Sequence, residues 1–575
     1  MRRVFIIVLF LASIACSAIA AGPPVALDTW AEIFTALDSV APSDPISVKS
    51  QGAVGDGVVL LGCSMTAASA VLNCTDGAFV AGDVSKVIAV YDAGPTTNGF
   101  LQPLSTTIVS RQSATQVTLT VAATTSVTNS ERVIYGTNDT AALQAVVDAV
   151  ADAGGGVVYF PKGVYLGSIN LPCAKVGTWI QGTCTRTYNN ISIRGAGRDA
   201  SQLENWDVAV SATYQGVIHM GKAAEITALE AGNDRLKNII IADLTVRQVK
   251  NPTNVRQVIV GQQTYNVQVF NTRGIGPSHE CYIMGGGAKS QRWVVHNNDM
   301  GPCGQGGPAY ANNTSALNIQ GEDWLVHSNV VRESGQGVEM GARRGVLLNN
   351  KLIGTPGISV LAVNVGNTSP GIWDNLIQGN LIKDYPGGVI VTNSLGTAST
   401  TRIIGNEFIN SSVNINSGLE TNSLQEGIAV THVHETSIVK GNHFFYDTRP
   451  SNFPIQIGEG GNAQAGKESV VVSDNLITFT KQYLIGTSGG THDNEECTAD
   501  AFGGSCRLPV GVIALAGPYG GVAVNGYLPT VIFSNNTVRA PNGAVSSGTD
   551  VSFQNSTDTA RLKINNFFAN YTIIP

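Results

Sequence analysis

One short pattern recurs along this chain: two apolar residues, one or two polar ones, an asparagine, then an apolar residue within two positions. It appears as Val294-Val295-His296-Asn297-Asn298-Asp299-Met300, as Leu376-Ile377-Gln378-Gly379-Asn380-Leu381, and as Ile438-Val439-Lys440-Gly441-Asn442-His443-Phe444. Taking one asparagine per copy gives Asn298, Asn329, Asn350, Asn380, Asn406, Asn442 and Asn475, with steps of 31, 21, 30, 26, 36 and 33 residues. A further copy carries Asn535-Asn536. A recurrent unit of this size means stacked repeats. Each unit is too short to bury its own apolar face, so its neighbours must cover it. An inward asparagine at a turn can hydrogen-bond the backbone of adjacent coils, meeting polar groups that would each cost ~1–3 kcal/mol if buried unpaired. The repeated asparagines are therefore architectural rather than catalytic.

The chain has 575 residues, 65 of them glycine, with only 13% charged, which suits closely stacked strands joined by tight turns. Its net charge of −7 argues against a nucleic-acid partner, whose phosphates need a basic face. Met1-Arg2-Arg3, an apolar stretch from Val4 to Ala15, and Ala18-Ile19-Ala20 read as a signal peptide over 1–20. The chain is thus expected to be secreted or periplasmic. A lipoprotein reading at Cys16 is the lesser alternative, because the residue three before it is Ser13 rather than leucine. No later apolar run reaches the ~20 residues of a membrane span. Removing Cys16 from the nine cysteines leaves four close pairs: Cys63/Cys74, Cys173/Cys184, Cys281/Cys303 and Cys497/Cys506. Even number, near spacing and export predict four local disulfides. No pair has zinc-knuckle spacing, so no metal site is assigned to them.

Residues 21–57 are expected to form an N-terminal cap, with Leu27, Trp30, Ile33, Phe34 and Leu37 at helical spacing over 25–40, followed by a first repeat element. Residues 58–136 read as a small β-rich insert, and 137–575 as the main repeat domain. Asn138 or Asp139 can cap a helix that presents Leu143, Val146, Val147 and Val150, ended by Gly154-Gly155-Gly156. Three segments carry a resemblance: Gly52-Ala53-Val54-Gly55-Asp56-Gly57, then Asn138-Asp139-Thr140-Ala141-Ala142-Leu143-Gln144, then Gly154-Gly155-Gly156-Val157-Val158-Tyr159-Phe160-Pro161-Lys162-Gly163-Val164-Tyr165. Together they resemble the start of the pectate-lyase-like (pectin lyase-like) superfamily. That resemblance implies an all-β right-handed parallel β-helix. The superfamily includes lyases, glycosidases, epimerases and phage tailspikes, so the reaction must be argued from a site.

On such a stack a polysaccharide meets outward side chains on one strand face, in neighbouring coils. The central coils offer His279, Glu280 and Tyr282, then Asn318 and Gln320, then Glu339, Arg343 and Arg344, with Asp299, Glu322 and Glu333 in connecting turns. Glu339 interrupts an apolar strand. A hydrolase needs two carboxyl groups ~5–5.5 Å apart for retention or ~6.5–9.5 Å for inversion, and Glu280 with Glu339 are the candidates. A uronate lyase needs a cation for the sugar carboxylate, Arg343 or Arg344, and a base, His279 or Tyr282. Asn318, Gln320 and the two arginines are the candidate substrate contacts, against a reading of the arginines as plain surface charge. The Asp-Asp pair and Gly-His-Gly motif of polygalacturonases are missing, as are the signatures of calcium pectate lyases. Gly274 to Glu280 faintly resembles the Asp-Pro-His segment of mannuronan C5-epimerases without its aspartate. The expectation is a glycoside hydrolase or polysaccharide lyase without cofactor, calcium being the one ion left open, and either monomeric or homotrimeric. The rivals are a uronan C5-epimerase and a non-catalytic, glycan-binding or adhesive surface β-helix.

Overall fold

The computed structural model describes the chain from residue 44 to residue 568, interrupted at connecting segments, among them 208–215, 222–234, 251–256, 277–280, 305–314, 366–373, 392–399, 416–436, 459–468, 485–505 and 517–529. The expected signal peptide and the expected helix at 25–40 lie outside the described residues.

Three strands per coil alternate with turns, and each strand pairs in parallel with its counterpart in the next coil. The first sheet begins with Gly156–Phe160, Ile191–Gly195, Leu236–Ala242, Thr264–Phe270 and Gln291–His296. The second begins with Gly163–Leu166, Ser201–Glu204, Thr245–Arg247, Arg273–Gly276 and Asp299–Cys303. The third begins with Ile169–Leu171, Ile218–Met220, Ile259–Gly261 and Tyr282–Met284. Two long strands, Ser315–His327 and Gln336–Leu348, pass from the third sheet into the first without a break. The result is a right-handed parallel β-helix.

Alternation along each strand puts one set of side chains inside. On the third sheet Leu317, Val338, Val363 and Val389 stack inward in register. Inside the first sheet Trp293 stacks on Trp324 with ring centroids 5.1 Å apart, and inside the second Phe408 stacks on Phe444 at 4.6 Å. At the first-to-second corner the asparagines form a continuous ladder. Each backbone N–H donates to the side-chain oxygen of the next coil's asparagine, as Asn350 to Asn380 at 2.8 Å. Each side-chain nitrogen also donates to a carbonyl of the coil below, as Asn380 to Leu347 at 2.9 Å. The residue before each ladder asparagine is left-handed: Asn297, Ser328, Asn349, Gly379, Gly405, Gly441, Asp474 and Asn535. That requirement explains the polar or glycine residue ahead of every asparagine in the repeat, since few other residues adopt this conformation cheaply.

Helix α1, Thr140–Asp152, packs Leu143, Val146 and Val147 against Val158, Ile169 and Leu171 of the first coil. Its Asp139 does not cap it: the carboxylate accepts the Val54 and Gly55 N–H groups at 2.7 and 3.1 Å, while Asn138 accepts the Thr140 N–H at 3.1 Å. Between that first segment and α1, strands from Val58–Leu60 to Val133–Gly136 form an eight-stranded antiparallel sheet with its own core, including Leu72, Ile88, Val117 and Val133. It is fixed to the solenoid through Tyr91, Ile134, Leu166 and Val249. Arg132 also grips the buried Glu204, with Nε donating at 3.0 Å and Nη2 at 2.5 Å.

Of the four expected disulfides, two are present among the described residues. Cystines join Cys63 to Cys74 and Cys281 to Cys303, with Cα separations of 4.0 and 5.6 Å. Cys184 ends the strand Gly182–Cys184, whose backbone pairs antiparallel with Gly177–Trp179, and Cys506 opens the strand Cys506–Arg507, which pairs antiparallel with Tyr483–Leu484. Their expected partners, Cys173 and Cys497, lie outside the described residues, so the bonds Cys173–Cys184 and Cys497–Cys506 remain sequence expectations.

Candidate active site

The two unbroken strands set the geometry of the central coils. Gly321 turns the first of them with φ of 113°, and a Cβ there would overlap the Ser290 carbonyl oxygen. Val338 and Met340 point into the core, so Glu339 between them faces outward. Strand register places Ile283, Asn318, Glu339, Asn364 and Ile390 in one outward column, one residue per coil. Glu339 thus lies between two asparagines. Asn318 Nδ2 donates to Glu339 Oε2 at 2.9 Å, while the Oδ1 atoms of Asn318 and Asn364 are buried without a partner among the described residues. The neighbouring outward positions on the Glu339 strand are Gly337 and Gly341, which raise no side chain beside the carboxyl. Burial pushes the Glu339 carboxyl above the ordinary carboxylate range, because the charged form loses its hydration. A raised pKa keeps the proton on such a carboxyl to higher pH than on a free one, which suits it to donate a proton to a leaving group.

The other expected site residues divide into three groups. Asn318 and Gln320 share the outward face with Glu339, Gln320 pairing beside Gly341. His279 and Glu280 lie outside the described residues. Tyr282 and the two arginines are corrected. Tyr282 is fully buried, in register with the inward Leu317, and its hydroxyl bonds Thr272 Oγ1 at 2.6 Å. Its polar neighbours in the sequence suggest exposure, whereas alternation along the strand turns Tyr282 inward. Arg343 and Arg344 lie past the corner, on the first sheet. Arg344 holds Asp323 at 2.6 and 3.0 Å and Glu322 at 3.1 Å, and Arg343 meets Glu322 at 3.3 Å. The pair therefore neutralises acids of the adjoining coil rather than standing beside Glu339. Asn364 escapes sequence reasoning. Its signal is present, where Leu361-Ala362-Val363-Asn364-Val365 places a polar residue at an outward position one coil after Glu339, but the register is needed to align them. Among the described residues no group of three or more His, Cys, Asp or Glu is placed to hold a metal ion, and no helix is long and apolar enough to cross a membrane.

Residues 136–362 match the family model described as Rhamnogalacturonase A/epimerase, pectate lyase-like. No curated protein matches the chain. Among solved structures the chain is similar to the A-module of the mannuronan C-5 epimerase AlgE6 of Azotobacter vinelandii, at 13% identity, covering 76% of this chain and 96% of that one, with a TM-score of 0.43. It is similar to a mutant tailspike protein of E. coli bacteriophage HK620 in complex with a pentasaccharide, at 14% identity over 73% and 75% of the two chains, TM-score 0.46. A third similar structure is an exopolygalacturonase from Thermotoga maritima, at 12% identity over 60% and 84%, TM-score 0.38.

Proposed function

We propose, on the premise that this chain belongs to the pectate-lyase-like superfamily of right-handed parallel β-helices, that it is a secreted enzyme which hydrolyses a polysaccharide on the outer face of its third sheet, with Glu339 as general acid. The observation that carries this reading is the Glu339 carboxyl itself, outward, desolvated and flanked by two asparagines in register. Hydrolysis is favoured over β-elimination by two further features. Burial raises the pKa of Glu339, which suits it to act as an acid rather than a base, and the arginines that would neutralise a uronate are engaged with Glu322 and Asp323. The partner carboxyl in this reading is Glu280. It is the second carboxyl that glycoside hydrolysis requires. Two cystines support export to an oxidising compartment.

The test incubates wild type and Glu339→Gln with a panel of neutral and uronic glycans. New reducing ends without ultraviolet absorbance from an unsaturated uronate are expected, falling about a thousandfold in the variant. Unsaturated product would replace hydrolysis by elimination. Cleavage of no glycan, with binding retained, would leave a glycan-binding surface protein.

A further inference from the structure

The outer face of the second sheet, in its upper coils, carries a pattern that the chemistry at Glu339 does not use. The middle residues of its strands, Val331, Leu352, Ile382, Phe408 and Phe444, belong to the solenoid core. The residues on either side of each therefore point outward. Register sorts them into two columns, one residue per coil. The first runs Val330, Lys351, Leu381, Glu407 and His443; the second runs Arg332, Ile353, Lys383, Ile409 and Phe445. These strands are flanked by short turns, two residues at the asparagine corner and three after Lys383 and Ile409. The long connections 366–374, 392–400 and 416–436 instead join the third sheet to the first. On the lowest coils the same sheet is covered by the eight-stranded insert, which packs on Leu166 and binds Glu204.

The charges in the first column are placed symmetrically. Lys351 and Glu407 are both exposed, and neither has an ionic partner among the described residues. They stand one coil below and one coil above Leu381, about 9.5 Å apart at the spacing of stacked strands. A two-fold axis laid along the strand Leu381–Lys383, between two copies packed face to face, reverses the order of coils and keeps each column opposite itself. Leu381 then meets the partner's Leu381, Lys351 meets the partner's Glu407, and Ile353 meets the partner's Ile409. Arg332 comes over the partner's Phe445, a cation against an aromatic ring. Lys383 meets its own mate, but Asp384 Oδ2 lies 3.7 Å from its Nζ and offsets the charge. With the axis along the solenoid instead, Lys351 would face the partner's Ile353 and Glu407 the partner's Ile409, leaving both charges desolvated and unpaired.

We propose that this face is a homodimer interface, in which two copies of the chain pack with antiparallel solenoid axes about the strand Leu381–Lys383. An isologous contact closes on itself, so assembly stops at two chains. The strip is only two outward residues wide, which fits a weak association with a dissociation constant of about 1–100 μM. It occupies the second sheet and leaves the third-sheet face of Glu339 free, so it does not depend on the hydrolase reading.

The experiment is sedimentation velocity of the protein from about 0.5 to 200 μM, spanning that range. A shift from one chain mass to two is expected as concentration rises. Lys351→Glu sets glutamate against glutamate on both sides of the axis and should weaken the dimer about tenfold or more. Adding Glu407→Lys restores opposite charges across the interface and should bring the constant back to within about threefold of wild type. Both positions are exposed, so the fold is retained. Facing sheets stack ~10 Å apart, so Leu381→Cys, on the axis, should be joined by a short bismaleimide. Leu476→Cys, three coils away and so about 30 Å from its mate, should not. A single chain mass at every concentration overturns the proposal, as does a trimer. A dimer indifferent to Lys351→Glu, or not rescued by the charge exchange, overturns the interface, and cross-linking at Leu476 in preference to Leu381 overturns its register.

Discussion

Glu339 concentrates the chemistry of the molecule in one side chain, and its environment fixes how it responds to pH. Its folded pKa is raised above the ordinary value of 4.5 by burial. Between the unfolded and folded pKa values the native state holds the proton and the unfolded state releases it, so stability falls as pH rises through that window and stays lowered above it. Relative to wild type, Glu339→Gln should therefore melt higher at neutral pH than under acid conditions. Thermal scans across pH check this, and a pH-independent difference would mean that the carboxyl is not desolvated. The same raised value places the alkaline limb of activity above the ordinary carboxylate range, because the acid works only while protonated. Glu339 is visible in the sequence as a charge breaking an apolar strand. Tyr282 shows how the same logic fails one position out of phase, since a period of two turns such a slip into an exchange of faces. The arginines stand apart from the site because sequence distance from Glu339 does not reveal the corner at Gly341-Ala342.

The ladder is the element on which the stack depends. Asn380 accepts from the Asn350 N–H and side chain at 2.8 and 3.0 Å, and donates to Leu347 O and to Asn406 Oδ1 at 2.9 and 3.0 Å. Asn380→Ala strips partners from buried groups in two neighbouring coils. It should lower stability by about 2–4 kcal/mol, read as a drop in the denaturant midpoint, with an exposed Asn349→Ala as the milder comparison. This element is legible in the amino-acid sequence, because the copies obey the same local rule: a left-handed residue, then an asparagine, then an inward apolar residue two positions after it. The strands between ladders are equally legible from alternation. The cap is legible only in part. Helix α1 follows from its apolar face, but Asp139 serves the Val54–Gly55 segment instead of its own helix, a contact 85 residues apart that no local pattern announces.

Across the whole molecule, the eight-stranded sheet is held to the solenoid by apolar contact, by a buried Arg132–Glu204 ion pair, and by Lys250, whose Nζ meets Asp92 and Glu131 at 3.3 and 3.0 Å. The Glu204 side chain is inaccessible and meets Arg132 at 2.5 Å. Arg132→Ala would leave that carboxylate buried with the Gln202 amide, which donates to it at 2.5 Å, and with the more distant cation of Arg247, at 4.0 Å. A loss of about 3–5 kcal/mol is expected, measurable as a lowered melting temperature. Replacing both partners, Arg132→Met with Glu204→Leu, should recover much of it. A single variant as stable as wild type would show that the Arg132–Glu204 pair is not needed to fix the insert. By itself the sequence determined that coils stack and where the asparagine corner of each coil turns, because those properties follow from a short repeat with a fixed turn conformation. Only the tertiary structure decided which outward residues meet. The coils differ in length, so Asn318, Glu339 and Asn364 fall in line only once hydrogen-bond register between strands cancels the unequal loops that separate them in the chain.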